Sequence, residues 1–189
     1  MRLRTINWFG IICAASLALL LFLSVAFRAP WWRLTIADGL GSVELSPMDA
    51  DIRLLGQTVE VPILWYLNLG TKVTILLVAA MLFFSSLKID GARSRRLMEL
   101  SYKKPLYIVL GLIAIGALSK LLIGSLLPFD VPFVGTSTVV INARGATISV
   151  PVTATFTWVF GLAVIAAVLS LSARLYHSRV SNGFAATEG

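Results

Sequence analysis

Apolar residues in this chain come in two rhythms. Four unbroken runs, residues 6–27, 71–87, 105–127 and 156–176, carry almost no charge. Each approaches or exceeds the roughly 20 helical residues that a hydrocarbon core of about 30 Å requires. Between them lie residues 28–70 and 128–155, where apolar and polar positions alternate in places, and residues 88–104, which are polar and basic. Continuous runs predict membrane-spanning helices, and alternation with period two predicts β-strands.

The strand signal is clearest in the later segment. Ser137-Thr138-Val139-Val140-Ile141 is rich in β-branched residues, and Asn142-Ala143-Arg144-Gly145 has Asn first and Gly fourth, as a type I turn prefers. From 146 to 152 the chain alternates, with Ile148, Val150 and Val152 on one face and Thr147, Ser149 and Pro151 on the other. The earlier segment offers Val59, Val61 and Ile63 against Thr58, Glu60 and Pro62, with residues 42–46 as a preceding strand. Residues 47–56 then read as a looser connection with room for one more short strand or turn.

Gly56-Gln57-Thr58-Val59-Glu60-Val61-Pro62-Ile63 is echoed 89 positions later by Gly145-Ala146-Thr147-Ile148-Ser149-Val150-Pro151-Val152, with four positions identical. Each copy stands just before a long apolar run. Gly56 and Gly145 are expected to close turns. Pro62 and Pro151, which cannot donate to a ladder, are expected to end their strands and release the chain into the bilayer. The resulting expectation is a membrane all-α bundle with β structure in a single domain over residues 1–189. Four transmembrane helices carry a small extracytoplasmic antiparallel β-sheet built from two hairpin segments, in a parallel 2+2 pseudo-repeat.

Composition agrees: 58% of the 189 residues are hydrophobic and 13% charged, with a mean hydropathy of +0.89, far too apolar for a soluble domain. The net charge of +7 is positional. Arg2 and Arg4, then Lys88, Arg93, Arg95, Arg96, Lys103 and Lys104, then Arg174 and Arg179, account for ten of the sixteen Lys and Arg, and four crossings put them on one side. The positive-inside rule makes that side cytoplasmic, with both termini and the loop 88–104. A cell-membrane, multi-pass protein in contact with membrane lipids follows. Aromatic residues mark both boundaries, Trp8, Tyr102, Tyr107 and Tyr176 inside and Trp31, Trp32, Trp65, Tyr66, Phe129, Phe133 and Trp158 outside. Basic residues gathered at membrane boundaries exclude a nucleic-acid partner. The first run exceeds a signal-peptide core in length and is expected to be a retained helix. The tail 177–189 is expected to be too polar to fold alone.

Candidate chemistry is sparse. Lys120, seven residues before the end of the third run, is the clearly intramembrane charge. Such a residue marks an ion path or a partner carboxylate. A Lys at that depth also snorkels or pairs, for instance with Asp130. Asp49 and Asp51 offer oxygen ligands for Ca²⁺ without EF-hand spacing, and the simpler reading is solvated turn acids. His177 is the sole histidine, beside Arg174 and Arg179, which gives neither bis-His haem ligation nor a triad. The single cysteine, Cys13, excludes internal disulfides and thiol-pair redox chemistry. No cofactor is expected. Gly111, Ala114, Gly116 and Ala117 in the third run form a small-residue face suited to close helix packing.

Pro30-Trp31-Trp32-Arg33-Leu34-Thr35 after the first run is similar to the tryptophan-bearing start of the first outer segment in claudin-type tetraspan proteins. That family's tryptophan after Gly-Leu is absent at Gly39-Leu40-Gly41, as are its outer cysteines. The resemblance implies a non-catalytic organiser or accessory protein. Expected function is therefore a non-enzymatic subunit that binds other integral membrane proteins or itself, with Trp31, Trp32, Asp49 and Asp51 as candidate contact residues. The alternative is a small oligomeric transporter or channel with Lys120 in a polar path. An enzyme acting on a bound lipid or quinone ranks third.

Overall fold

The structure is a computed structural model. It describes residues 6–87, 89, 92–126, 132–143 and 146–185, without the side chains of 38, 119, 121–126, 141–143, 146, 148 and 181–185. In chain order it contains α1 (Trp8–Phe27), β1 (Trp32–Ile36), β2 (Gly41–Ser46), β3 (Asp49–Leu54), β4 (Gln57–Thr58), α2 (Pro62–Leu87), α3 (Ala92–Ser101), α4 (Lys104–Leu126), β5 (Gly135–Ala143), β6 (Ala146–Phe156) and α5 (Trp158–Ala185). Four helical stretches, Trp8–Phe27, Pro62–Leu87, Ala92–Leu118 and Trp158–Val180, are long and apolar enough to cross a membrane. The chain packs as two compact units. One comprises Met1–Phe27, Gly70–Val109 and Gly161–Gly189, the other Arg28–Leu69 and Leu110–Phe160.

The first unit is helical. α1 buries Gly10, Cys13, Ala14, Leu17, Leu20 and Ser24, which recur at three- and four-residue spacing, and α2 buries Ile75, Val78, Ala79, Leu82, Ser85 and Ser86 in the same way. The buried side of α5 is mostly small: Ala163, Ala166, Ala167, Ser170 and Ala173. Small residues bring backbones together where lipid supplies no hydrophobic drive between helices. Cys13 Sγ accordingly donates to the Ala166 carbonyl at 3.2 Å, and a Cβ on Gly10 would run into the Ser86 side chain. The expected cytoplasmic loop 88–104 holds the helix α3, which buries Ser94, Met98 and Ser101 and exposes Arg93, Arg95, Arg96 and Glu99. α5 continues to Ala185, so the described part of the tail extends the preceding helix.

The second unit contains one six-stranded sheet, order β4-β3-β2-β1-β6-β5, with every neighbouring pair antiparallel. Two hairpins were expected. Trp32–Ile36 is an additional strand, and Asp49–Leu54 is the further short strand for which residues 47–56 left room, entered by a tight turn at Pro47-Met48. The register puts Leu34, Val43, Ile52 and Ala154 in one row and Ile36, Gly41, Leu54 and Val152 in the next. Leu34, Val139, Val152 and Ala154 form a buried cluster, with Trp32, Ile36, Val43 and Val150 packed against it. The face assignment of Val150 and Val152 against Ser149 and Pro151 holds. The β5–β6 connection falls at Arg144-Gly145, outside the described residues, because Ala143 pairs with Ala146, one residue on from the expected turn.

The two prolines of the sequence echo do not stand at equivalent points. Pro62 opens α2, where a missing N–H costs nothing and its fixed φ suits the first helical turn, so the second span starts nine residues before the expected 71. Val59, Val61 and Ile63 are exposed and lie outside any strand. Pro151 lies inside β6. The reason lies in hydrogen-bond parity. Thr157 N donates to Trp31 O at 2.9 Å in the register of the β1–β6 ladder, so the odd-numbered residues of β6 direct their backbone groups toward β1. At Pro151 that neighbour would be Ala37, which has already left the strand with a φ of 47°. A residue without an N–H fits there. Gly56 does close a turn, with Leu55 and Gly56 both at positive φ (52° and 78°), as a two-residue type I′ hairpin requires. Gly145 lies outside the described residues.

Candidate functional site

The sheet is amphipathic across its strands. Opposite the apolar face, one row runs Thr155, Arg33, Glu44, Asp51, and the next runs Thr136, Thr153, Thr35, Ser42, Arg53, Thr58. Arg33 Nε meets Glu44 Oε1 at 2.8 Å across the strands, and Arg53 Nη2 meets Asp51 Oδ2 at 2.7 Å along one strand. Arg33 and Arg53 are thus matched by Glu44 and Asp51, and Asp49, of the same parity on β3, adds a third acid to this face. Hydrogen bonding and attraction from Asp51 push the Arg53 guanidinium above its already high ordinary value, so Arg53 stays charged. Both Arg side chains are half exposed or more, so solvent screens the pairs and they add little to stability. Their effect is to fix which face is wet.

Each sequence-predicted contact residue finds a definite place. Asp49 belongs to the β2–β3 turn: Ser46 Oγ accepts from Met48 N and Asp49 N at 3.2 and 2.8 Å, and Asp49 Oδ1 accepts from Ala50 N at 3.1 Å. Asp51 is engaged by Arg53. Among the described residues no group of three or more His, Cys, Asp or Glu gathers to hold a metal. Trp31, expected at an interface, is 2% exposed and packs on Phe160 with ring centroids 6.3 Å apart. Trp32 stacks on Phe133 at 6.2 Å and donates its indole N–H to the Phe133 carbonyl at 2.7 Å. Phe133 meets Phe156, and Phe156 stacks on Phe160 at 4.3 Å. The two adjacent tryptophans thus join one aromatic chain inside the second unit, and no periodicity signal announces it.

The small residues of α4 divide. A Cβ on Gly116 would collide with the Phe133 ring, so this glycine receives an aromatic side chain, whereas a Cβ on Gly111 would meet nothing. Ala114 and Ala117 are exposed. Lys120 is exposed on α4 one turn beyond Ala117, and Asp130, its suggested partner, lies outside the described residues. His177 is fully buried in α5 rather than sitting at an open helix end.

Sequence reasoning missed Asn7. Its backbone N–H donates to Ser86 O at 2.9 Å, its side-chain N–H to Ala173 O at 2.8 Å, and its Oδ1 accepts from Gly10 N at 3.2 Å. One fully buried residue caps α1 and ties it to α2 and α5. An Asn at the second position of the first apolar run, just before Trp8, was the available signal.

Comparison of the chain with protein-family models, with curated proteins and with solved structures finds no match. The claudin-type likeness gains no support from it. What stands is the coarser arrangement, four candidate membrane-spanning helices with a small antiparallel sheet, which is compatible with a tetraspan topology.

Proposed function

We propose that the chain is a non-catalytic, multi-pass membrane protein that acts as an accessory or structural subunit of a larger membrane assembly. In this reading the termini and α3 are cytoplasmic and the sheet is extracytoplasmic. The observation that carries it is α4. Ala114 and Ala117 are exposed one turn apart, and Gly111, one turn earlier, has open space where a side chain would stand. Small residues at such spacing let a second helix approach closely, by van der Waals contact that bulky side chains prevent. The wet, charged face of the sheet supplies a second, polar contact area.

The test is a native-gel and light-scattering comparison in mild detergent. Wild type is expected to run in an assembly larger than the monomer, and Ala114→Trp or Ala117→Trp to release it while keeping the wild-type melting temperature. A wild-type chain that is monodisperse and monomeric in both detergent and nanodiscs overturns the reading. The position of Lys120 on the same helix supports a second reading, a small oligomeric carrier. Lys120→Met with unchanged flux in proteoliposomes removes it.

A further inference from the structure

From the backbone of β5 we infer that this strand is a homodimerisation edge, pairing antiparallel with β5 of a second copy about a two-fold axis through Val139. The inference begins with parity. Even-numbered residues of β6 face β5, so the hydrogen-bonded pairs of the β5–β6 ladder are Gly135 with Ala154, Ser137 with Val152 and Val139 with Val150. Thr136, Thr138, Val140 and Asn142 then direct their N–H and C=O groups to the other side, where among the described residues the sheet order has no further strand.

The two ends of the sheet are built differently. β4, at one end, has two residues, and its neighbour β3 carries Asp49, Asp51 and Arg53. Short length and charge are the usual devices that keep an edge from pairing. β5, at the other end, has nine residues, Gly-Thr-Ser-Thr-Val-Val-Ile-Asn-Ala, with neither charge nor proline. Nothing in it opposes a partner strand.

Its register is self-complementary. Centred on Val139, the two-fold sets Thr136 opposite Asn142 and Thr138 opposite Val140, each twice. All four outward-directed residues of both copies are used, with two hydrogen bonds in each pair. Residues of like parity meet, so the apolar row extends through Val139 against Val139 and the polar row stays polar. No like charges meet, because the strand has none. The axis of such a pair is perpendicular to the sheet, so both apolar faces look the same way. Edge addition of this kind takes its affinity from the main chain and its register from alternate side chains. It stands apart from the α4 reading, since no residue of α4 takes part.

The experiment is register-specific disulfide trapping of the full chain in native membranes, in a Cys13→Ala background. In the paired dimer the two Val139 Cα atoms form a non-hydrogen-bonded pair about 4.5 Å apart, inside the span a disulfide bridges. Val139→Cys is expected to give a covalent homodimer under mild oxidation. Ser137→Cys, whose copies lie four residues out of register at about 13 Å, is expected to give about tenfold less. Thr138→Pro removes an outward N–H and sits opposite Pro151, so it spares the internal ladder and is expected to cut the Val139→Cys dimer about tenfold. Val140→Lys, placed on an exposed side chain, is expected to act in the same direction if the proline variant does not fold. Equal trapping at 137 and 139, or none at 139, overturns the proposal. A Val139→Cys adduct with a different protein overturns it in favour of a heterologous strand.

Discussion

Asn7 shows how much of a helical unit hangs on one short side chain. An N-cap Asn contributes about 1 kcal/mol to its own helix, and a buried donor that loses its partner leaves a carbonyl unsatisfied at about 1–3 kcal/mol. Because Asn7 caps α1 and also holds Ala173 O, Asn7→Ala is expected to cost roughly 2–4 kcal/mol, summing the two effects. Asn7→Ser keeps a neutral capping oxygen and loses the bond to Ala173, so it should fall between; thermal unfolding in detergent ranks the three. The cap was readable in the sequence. The bond across 166 residues was not, because no local pattern encodes which carbonyl will lie above an N-cap. Leu55 is a residue-scale opportunity of the opposite sign. It holds a φ of 52° at the first position of a type I′ turn while remaining 81% exposed. Leu in the left-handed region is strained, and Asn before Gly is the preferred pair there. Leu55→Asn is expected to raise stability by about 1 kcal/mol, seen as a higher melting temperature without change in assembly.

At the scale of elements, α4 separates two glycines that a sequence treats alike. Gly116→Ala drives a methyl into the Phe133 ring, which is already stacked on Trp32 and edge-on to Phe156, so overpacking of about 1–3 kcal/mol is expected. Gly111→Ala meets open space and should gain up to about 1 kcal/mol of helix propensity. If both substitutions destabilise equally, Phe133 does not dock on α4. Among the elements, the apolar runs and the β5–β6 hairpin were legible because each is a long stretch of one rhythm. β1 and β3 alternate just as strictly, as Leu34 and Ile36 or Ala50, Ile52 and Leu54 show. They were hidden by acidic and basic residues of low strand propensity that the cross-strand pairs Arg33–Glu44 and Asp51–Arg53 accommodate. The Pro62 and Pro151 echo misled for a different reason. A proline reports only a missing donor and a fixed φ, and those conditions hold equally at a helix start and at a strand edge whose neighbour has ended.

At the scale of the whole molecule, the amphipathic α3 and the amphipathic sheet bear on orientation through different terms. α3 exposes Arg93, Arg95 and Arg96 within one turn, and clustered basic residues near span ends are retained on the cytoplasmic side. The sheet carries two Arg and three acids on its wet face, no excess of basic residues, so it exerts no such pull. On the topology proposed above, an even number of crossings separates the N-terminus from α3. α1 and α2 are the two candidate spans before it, α4 and α5 the two after it, and β1 to β6 fall in the two intervals between paired spans. Single cysteines in a Cys13→Ala chain test this with a membrane-impermeant maleimide. Thr155→Cys, on the exposed polar face, is expected to label in intact cells, and Arg96→Cys, on the exposed side of α3, only after permeabilisation. The reverse pattern would place the basic helix outside and remove the extracytoplasmic sheet. Labelling of both positions from one side would leave an even number of crossings between them and require that α4, the helix between them in the chain, does not span.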